Sequence, residues 1–267
     1  ETEGERYGHS HTDKPLRILL EYVSANPVGP MVVVNARAAA VGDCLANLYE
    51  AVGHRVDREY YVNDAGHQAD LFAASLNARY LQLAGRDAPF PEDGYPGEYV
   101  KEIAAEFLHS HPELLNLPES ERLSFFKIHG VDLMVELQQQ ELARFGVEFD
   151  KWFRERDLHR ADAVVDALTY LRRQGALYDQ EGAVWFASTR WGDDKDRVVI
   201  KSDGAYTYLA ADIAYHRDKY QRGYERVIDI WGPDHHGYIG RMRAAVAALG
   251  YDPDSFEVIV LQLVTLL

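Results

Sequence analysis

An apolar run that leads directly into a loop of proline and glycine limits the possible folds more than any other feature of this sequence. Residues 17–23 read Arg-Ile-Leu-Leu-Glu-Tyr-Val, and residues 24–30 after them contain two prolines and a glycine. Such a run is typical of a strand covered on both faces, as in a parallel sheet. Residues 36–52 then place apolar side chains at helical spacing and stop at Gly53. Strand, loop and helix in this order indicate an α/β fold.

The same alternation recurs and predicts a doubly wound, Rossmann-type sheet. Residues 56–62 form a second strand pattern, and a helix pattern follows to about Leu83. The alternation returns with strands at 198–200, 227–231 and 258–263 and helices at 208–220 and 238–249. The predicted segments are a leading segment at 1–15, the first half of the sheet domain at 16–84, a helix-rich insertion at 85–185 and the second half at 186–267.

Composition narrows the function classes. The chain has 28 Lys and Arg against 43 Asp and Glu, a formal net charge of −15, which argues against a protein that binds nucleic acid unaided. Its one cysteine, Cys44, cannot form an internal disulfide, which favours a reducing compartment and a cytoplasmic location. No apolar run reaches the ~20 residues that a membrane span needs, so we expect no membrane partner.

Two polar loops follow the first two predicted strands, where open α/β sheets bind ligands. Residues 24–30 suit a substrate loop in which Asn26 presents an amide, and they equally suit a plain turn from strand to helix. In residues 59–68, Asn63 or Asp64 is expected to cap the following helix. Capping does not explain the tyrosines and Gln68 beside them.

A third group of polar residues lies in the last part of the chain. Tyr208 and Asp212 are four residues apart and share a helix face. A carboxylate beside a tyrosine can hold a guanidinium or ammonium group, although a surface pair is the alternative. In residues 231–238, Trp-Gly-Pro-Asp-His-His-Gly-Tyr, the adjacent histidines point apart and lack a carboxylate at zinc-site spacing, so we predict no metal site. Histidines at a helix start are better placed to donate to a phosphate.

Taken in order, these motifs resemble the class I arginyl-tRNA synthetases along nearly the whole chain. Residues 21–27 read Glu-Tyr-Val-Ser-Ala-Asn-Pro and look like that family's first strand and loop. Residues 58–68, Arg-Glu-Tyr-Tyr-Val-Asn-Asp-Ala-Gly-His-Gln, are similar to its most recognisable bacterial segment. Residues 93–99 and 232–238 follow in the expected order. The resemblance implies the class I synthetase fold, a Rossmann-type parallel sheet with a helix-rich insertion.

The resemblance also implies a reaction: activation of arginine by ATP to arginyl-adenylate, then transfer to tRNA(Arg). ATP would carry Mg²⁺ as its usual counter-ion. Asp212 would pair with the arginine guanidinium and Tyr208 would pack beside it. The arginine-binding residues would be Ser24, Asn26, Tyr208 and Asp212. The ATP-binding residues would be Pro27, Gly29, Val32, Val34, Asn35, Gly232, Asp234, His235 and His236, and the catalytic ones among them Asn35, His235 and His236.

One motif departs from the family. The signature His-Ile-Gly-His falls on Val32-Val33-Val34-Asn35, so both histidines and the glycine are replaced. Losing one donor toward the phosphates typically costs about 3 kcal/mol of barrier, and the Val34 side chain obstructs the approach that glycine permits. Asn35 still offers an amide donor. Alternatively, Met31 and the valines form a buried packing patch. We expect impaired turnover.

The family's Lys-Met-Ser-Lys-Ser loop and anticodon-binding domain are expected beyond Leu267, and its N-terminal tRNA-binding domain before about Gly8. We therefore expect the catalytic core of a longer, monomeric protein that meets tRNA(Arg) mainly through other domains. Two alternatives stay open. One is a paralogue that binds arginine, or a related amino acid, without aminoacylating tRNA. The other is an enzyme that uses the same site for a different adenylation.

Overall fold

The computed structural model describes Gly4 and residues 7–264, apart from the side chains of Arg160 and His236. The chain divides into two compact units. We call them the sheet unit, Glu1–Ser24, Val33–Tyr61 and Phe149–Leu267, and the helical unit, Ala25–Val32 and Val62–Glu148. The four-segment division predicted from the sequence stays a prediction.

Strands and helices alternate in the first and last parts of the chain, and a run of helices lies between them. The strands are β1 (Arg17–Glu21), β2 (Arg55–Val62), β3 (Lys151–Arg154), β4 (Leu177–Gln180), β5 (Ala183–Phe186), β6 (Arg197–Ile200), β7 (Arg226–Trp231) and β8 (Phe256–Val260). The helices are α1 (Val33–Ala51), α2 (His67–Leu83), α3 (Glu98–Ser110), α4 (Glu119–Phe125), α5 (Val131–Phe145), α6 (Glu155–Arg160), α7 (Ala163–Arg173), α8 (Tyr208–Gln221) and α9 (Ile239–Ala248). Short 3-10 helices include Ser188–Trp191 and Pro233–Tyr238.

The main sheet has five strands in the order β3-β2-β1-β7-β8. At its centre, β1 pairs in parallel with β2 and β7, so that Ile18 lies opposite Val56 on one side and Arg226 on the other. Ile18, Leu19 and Leu20 are at most 1% exposed, because a central parallel strand is covered on both faces. The predicted parallel α/β sheet is confirmed.

The core of the sheet unit forms where α8 and α9 cover this sheet. Its buried members include Leu19 on β1, Ile213 on α8, Val227 on β7 and Val246 on α9. Each comes from an apolar position of a predicted element, which is why the sequence pattern located these elements well. The polar residues of α8 therefore sit on a helix that is firmly anchored.

The helix α1 begins at Val33, three residues before the predicted start. Its close packing depends on Gly42, since a Cβ there would lie 2.3 Å from the ring of Tyr22. Only a residue without a side chain permits this approach. Because α1 begins at Val33, the side chains of Val33 and Val34 belong to its first turn and not to the preceding loop.

Two strands differ from the predicted layout. β6, read from the sequence as part of the returning α/β alternation, instead pairs antiparallel with β5 in a separate sheet of order β4-β5-β6. β3, from the stretch interpreted as insertion, joins the edge of the main sheet beside β2. Strands of four residues carry too little pattern to show which sheet they join.

The helical unit packs α2 to α5 around buried aromatic and aliphatic side chains, among them Phe72, Leu76 and Phe126, each 0% exposed. Gly66 occupies the N-cap of α2 without a side-chain hydrogen bond, so the prediction that Asn63 or Asp64 caps this helix is wrong. Asn63 Oδ1 lies so close to Gly66 that a Cβ on this glycine would be only 2.8 Å away from it. Within the described residues, no helix combines the length and apolarity needed to cross a membrane.

Candidate functional site

Asp212, predicted to pair with a guanidinium, lies in the second turn of α8. Its Oδ2 atom accepts a hydrogen bond of 2.6 Å from the hydroxyl of Tyr238. Burial raises the pKa of Asp212, and the Tyr238 hydrogen bond offsets only part of that effect. A cation beside Asp212 would lower this pKa again, because it stabilises the ionised form. Tyr208, at the start of the same helix, is 69% exposed.

Glu155 is a second acid in the sheet unit that the sequence interpretation missed. It is the first residue of α6, directly after β3, and is only 6% exposed. Burial raises its pKa, Tyr61 opposes this through a hydrogen bond, and Asp212 lies near enough to raise it further. His159 Nε2 is 3.7 Å from Glu155 Oε1. The sequence signal for Glu155 is an acid directly after a strand. The sequence places β3 within the predicted insertion at 85–185, which hides this signal.

A network of buried charged groups extends from Asp212 to the end of β1. His216 Nδ1 lies 2.8 Å from the Asp212 carbonyl oxygen, and Nε2 lies 3.0 Å from Asp229 Oδ2. Lys219, 0% exposed, donates to Asp229 Oδ1 at 2.8 Å and to Glu21 Oε2 at 2.6 Å. Buried charges persist when they are paired and hydrogen bonded in this way.

The pKa shifts follow from these contacts. Burial raises the pKa of Glu21 in spite of Lys219. Burial also works to raise the pKa of Asp229, but Lys219 and His216 outweigh it and hold that pKa below its usual value. Burial alone would lower the pKa of Lys219, whereas Asp229 and Glu21 raise it above the ordinary value. Lys219 therefore stays a cation inside the sheet unit.

Ser24, predicted to bind arginine, stands in a strained turn after β1. Val23 and Ser24 have φ values of 68° and 40°, in the left-handed region that non-glycine residues seldom adopt. Ser24 Oγ donates to Glu21 Oε1 at 2.9 Å and accepts from the Tyr61 amide at 3.1 Å. These contacts fix the turn and explain why β1 ends at Glu21, before the predicted limit at Val23.

The predicted substrate loop, residues 24–30, belongs to the helical unit from Ala25 onward. Gln138, 1% exposed, donates to the Asn26 carbonyl oxygen at 3.2 Å. The Tyr99 hydroxyl donates to the Val28 carbonyl oxygen at 2.6 Å. A Cβ on Gly29 would lie 3.1 Å from the Tyr99 hydroxyl oxygen, which favours glycine there. The Asn26 side chain is exposed, and Pro27 is buried.

The signature positions open α1 with little packing. Val32 is 58% exposed and Val33 42% exposed, so the alternative interpretation of a buried valine patch is wrong for these two residues. Val34 and Asn35 are partly buried. Valine offers no hydrogen-bond donor in its side chain, so Asn35 is the first side-chain donor of this segment.

The segment after β7 holds the remaining predicted residues. Gly232 follows the strand directly, and Asp234 and His235 are exposed within the short helix Pro233–Tyr238. His236 is in the same helix, but its side chain lies outside the described residues. Over the described part of the chain, no cluster of three or more His, Cys, Asp or Glu side chains is arranged to hold a metal ion.

Comparison with known proteins identifies the family. The family model of the class I (R) tRNA synthetases, catalytic domain, matches residues 2–264. The chain belongs to this family. An arginine–tRNA ligase from Shouchella clausii is 49% identical over 266 residues, which cover 99% of this chain and 48% of that protein. One from Bacillus licheniformis is 48% identical over 264 residues, covering 98% of this chain and 48% of the ligase.

Solved structures agree with this assignment. The arginyl-tRNA synthetase structure from Campylobacter jejuni has a TM-score of 0.90 and 39% identity, covering 98% of this chain and 57% of that one. The Thermus thermophilus arginyl-tRNA synthetase, at 21% identity and a TM-score of 0.71, shares the fold. The predicted membership in the arginyl-tRNA synthetase family is confirmed. The chain spans about half the length of the curated relatives that it matches.

Proposed function

We propose that this chain is the catalytic domain of an arginine–tRNA ligase, which activates arginine with ATP and transfers it to tRNA(Arg). The observation that carries the proposal is the pair of carboxyl groups in the sheet unit, Asp212 and Glu155. Each is hydrogen bonded by a tyrosine, Tyr238 and Tyr61 respectively, and burial raises both pKa values. Two acids kept out of water in this way favour a cationic ligand.

The chemistry of the pair fits a guanidinium better than an ammonium group. A guanidinium is planar and offers five N–H donors in a fixed fork, so it can meet two carboxylates at once. The Tyr238 hydroxyl already donates to Asp212 Oδ2, so Oδ1 is the oxygen proposed to accept from the ligand. Tyr208, largely exposed at the start of α8, is proposed to cover the bound side chain, and Ser24 and Asn26 to bind its amino-acid end.

The nucleotide half of the reaction is proposed to be impaired. In adenylation the arginine carboxylate attacks the α-phosphate of ATP and pyrophosphate leaves, so charge develops on phosphate oxygens. Donors placed at that charge usually lower the barrier most. Asn35, His235 and His236 are the proposed catalytic donors, and Gly232 and Asp234 the proposed ATP contacts beside them. That Pro27, Gly29, Val32 and Val34 contact ATP, and that Mg²⁺ accompanies it, stay predictions.

The alternative function is a paralogue that binds arginine without aminoacylating tRNA. The specific observation that favours it is the exposed Val32, 58% exposed, at a position where the family signature has a histidine donor. Both functions share the arginine site, so arginine binding alone does not separate them. Binding of a nucleotide-containing ligand does.

The partners follow from the same proposal. We propose arginine, ATP and tRNA(Arg), in a cytoplasmic and monomeric protein, with tRNA held mainly by parts outside this chain. The net charge of −15 supports weak RNA binding that declines steeply with salt. Tight binding of tRNA(Arg) by this chain at moderate salt would contradict that proposal.

The test is a calorimetric titration with arginine, then ATP, then a non-hydrolysable arginyl-adenylate analogue. The ligase proposal predicts that arginine and the analogue both bind and that Asp212→Asn strongly weakens the binding of both. Binding of arginine without ATP or analogue would favour the paralogue. Absence of arginine binding would contradict both.

A further inference from the structure

We propose that Lys219 is a positioning residue of the arginine site: through two buried carboxylates it holds both the Ser24 turn and the Asp212 segment in place. The inference rests on the proposed binding of arginine by Ser24 and Asp212. Lys219 lies seven residues after Asp212 on α8 and is 0% exposed, so it does not touch a ligand itself.

The first arm of the network leads from Lys219 to the strained turn. The ammonium group donates to Glu21 Oε2, and Ser24 Oγ donates to Glu21 Oε1. Val23 and Ser24 both adopt left-handed φ angles, and for a β-branched valine this is unusual. Strained backbone of this kind persists only where surrounding contacts determine it. Glu21 is such a contact, and Lys219 fixes the orientation of its carboxylate.

The second arm leads from Lys219 to Asp212. Asp229 accepts from Lys219 through Oδ1, and its Oδ2 faces His216 Nε2. His216 Nδ1 then lies 2.8 Å from the carbonyl oxygen of Asp212. The Asp212 carbonyl oxygen and the Asp229 carboxylate oxygen can only accept, so in each of these two hydrogen bonds the ring nitrogen of His216 is the donor. This contact fixes the main chain of Asp212, while Tyr238 fixes its side chain.

A second buried carboxylate beside α8 shows that the connection is specific. Glu59, also 0% exposed, accepts from Tyr215 at 2.7 Å and from Arg222 at 2.6 Å. None of these three residues hydrogen bonds to Ser24 or Asp212. Buried ion pairs contribute little net stability compared with apolar residues of the same volume. The Lys219 network differs in ending, on both sides, at residues proposed to bind arginine.

The experiment compares three network variants with one control. Glu21→Gln weakens the first arm and Asp229→Asn the second, because a neutral carboxamide no longer forms an ion pair with the buried Lys219 ammonium group. Lys219→Met removes both ion pairs. Tyr220→Phe is the matched control, because it deletes a buried α8 hydroxyl that bonds only to Ser255 at 2.8 Å. Arginine affinity is measured by calorimetry, and amide hydrogen exchange is followed at residues 22–24 and 212–216.

We expect Glu21→Gln to speed exchange at residues 22–24 and Asp229→Asn to speed it at 212–216. Each is expected to weaken arginine binding about tenfold or more, because small misplacements of a binding group are costly. Tyr220→Phe should stay within about twofold of the wild type. A variant that combines Glu21→Gln with Asp229→Asn should lose less than the sum of the two single losses, because both changes act through one network.

Two results would decide against the inference or its basis. If Glu21→Gln and Asp229→Asn fold and bind arginine as the wild type does, Lys219 has a structural role only and the inference is overturned. If Lys219→Met does not fold, these two isosteric variants still give the answer. If the wild type binds no arginine, the proposed function fails, while hydrogen exchange still shows whether the network holds the two segments.

Discussion

The helix α8 and the start of α1 carry opposite kinds of side chain at the two places where the family motifs predict ligand contacts. On α8, Asp212, His216 and Lys219 all have hydrogen-bond partners inside the sheet unit. At the start of α1, Val32 and Val33 are 58% and 42% exposed and offer no side-chain donor. The residues proposed to bind arginine are therefore polar and paired, whereas Val32, proposed to contact ATP, offers no side-chain donor where the family signature has a histidine.

The difference has a physical basis in how each region tolerates change. A buried polar group that loses its partner is costly, so the α8 network allows few substitutions. Val32 is largely exposed, so replacing a histidine by valine there changes stability little. Val32 and Val33 are too exposed to add much apolar burial to the stability of the fold. Their expected effect therefore falls on nucleotide binding and turnover rather than on folding.

The largest expected effect comes from removing the acid on α8. Asp212→Asn should weaken arginine binding about 100-fold, because truncating one partner of a charged pair typically costs about 2–5 kcal/mol. Calorimetry measures the loss. Asp218→Asn on the same helix, where Asp218 pairs with Arg222 at 2.8 Å, is the control and should bind normally. Equal affinity of Asp212→Asn and wild type would remove the basis of the arginine site.

The converse change at α1 sharpens the comparison. Restoring the family residues with Val32→His, Val34→Gly and Asn35→His should tighten binding of the arginyl-adenylate analogue more than about tenfold, because phosphate donors return. Arginine affinity should stay unchanged. If the restored variant gains nothing with the analogue, the valines are not what limits the nucleotide half.

Glu155 tests whether the site contains a second acid. Glu155→Gln should weaken arginine binding about tenfold, less than Asp212→Asn, because a neutral carboxamide still accepts one hydrogen bond. For Glu155→Gln, the loss of affinity for agmatine should be about the same as the loss for arginine, since both ligands carry the guanidinium. A variant that binds arginine as tightly as the wild type would exclude Glu155 from the site.

The smallest expected effect is a dependence on pH. Burial raises the pKa of Asp212 and of Glu155, so the ligand-free fold loses stability as pH rises from the unfolded values toward the folded ones. Arginine requires the ionised acids, so its affinity should rise a few-fold, roughly, from pH 5 to 7, with release of protons. Titration in two buffers of different ionisation enthalpy measures that release. Proton uptake would contradict it.

The sequence predicted the main sheet and α8 because long apolar runs and helical spacing mark such elements. It missed the limits set by tertiary contacts. β1 ends at Glu21 because Ser24 bonds to that carboxylate and to Tyr61. Glu155 was overlooked because β3 has four residues and meets β2 only through a pairing far along the chain. The sequence predicted no separate role for Tyr238, because its hydrogen bond to Asp212 depends on how α8 packs beside residues 233–238 in the fold.

The most direct test of the contrast between α8 and α1 is one pair of titrations on the same sample, with arginine and then with the arginyl-adenylate analogue. The prediction is that arginine binds and that the analogue binds no more tightly than arginine, because Val32 and Val34 replace the histidine and glycine of the family signature. Tight binding of the analogue together with undetectable binding of arginine would contradict this account, because the nucleotide and not the arginine would then supply the affinity.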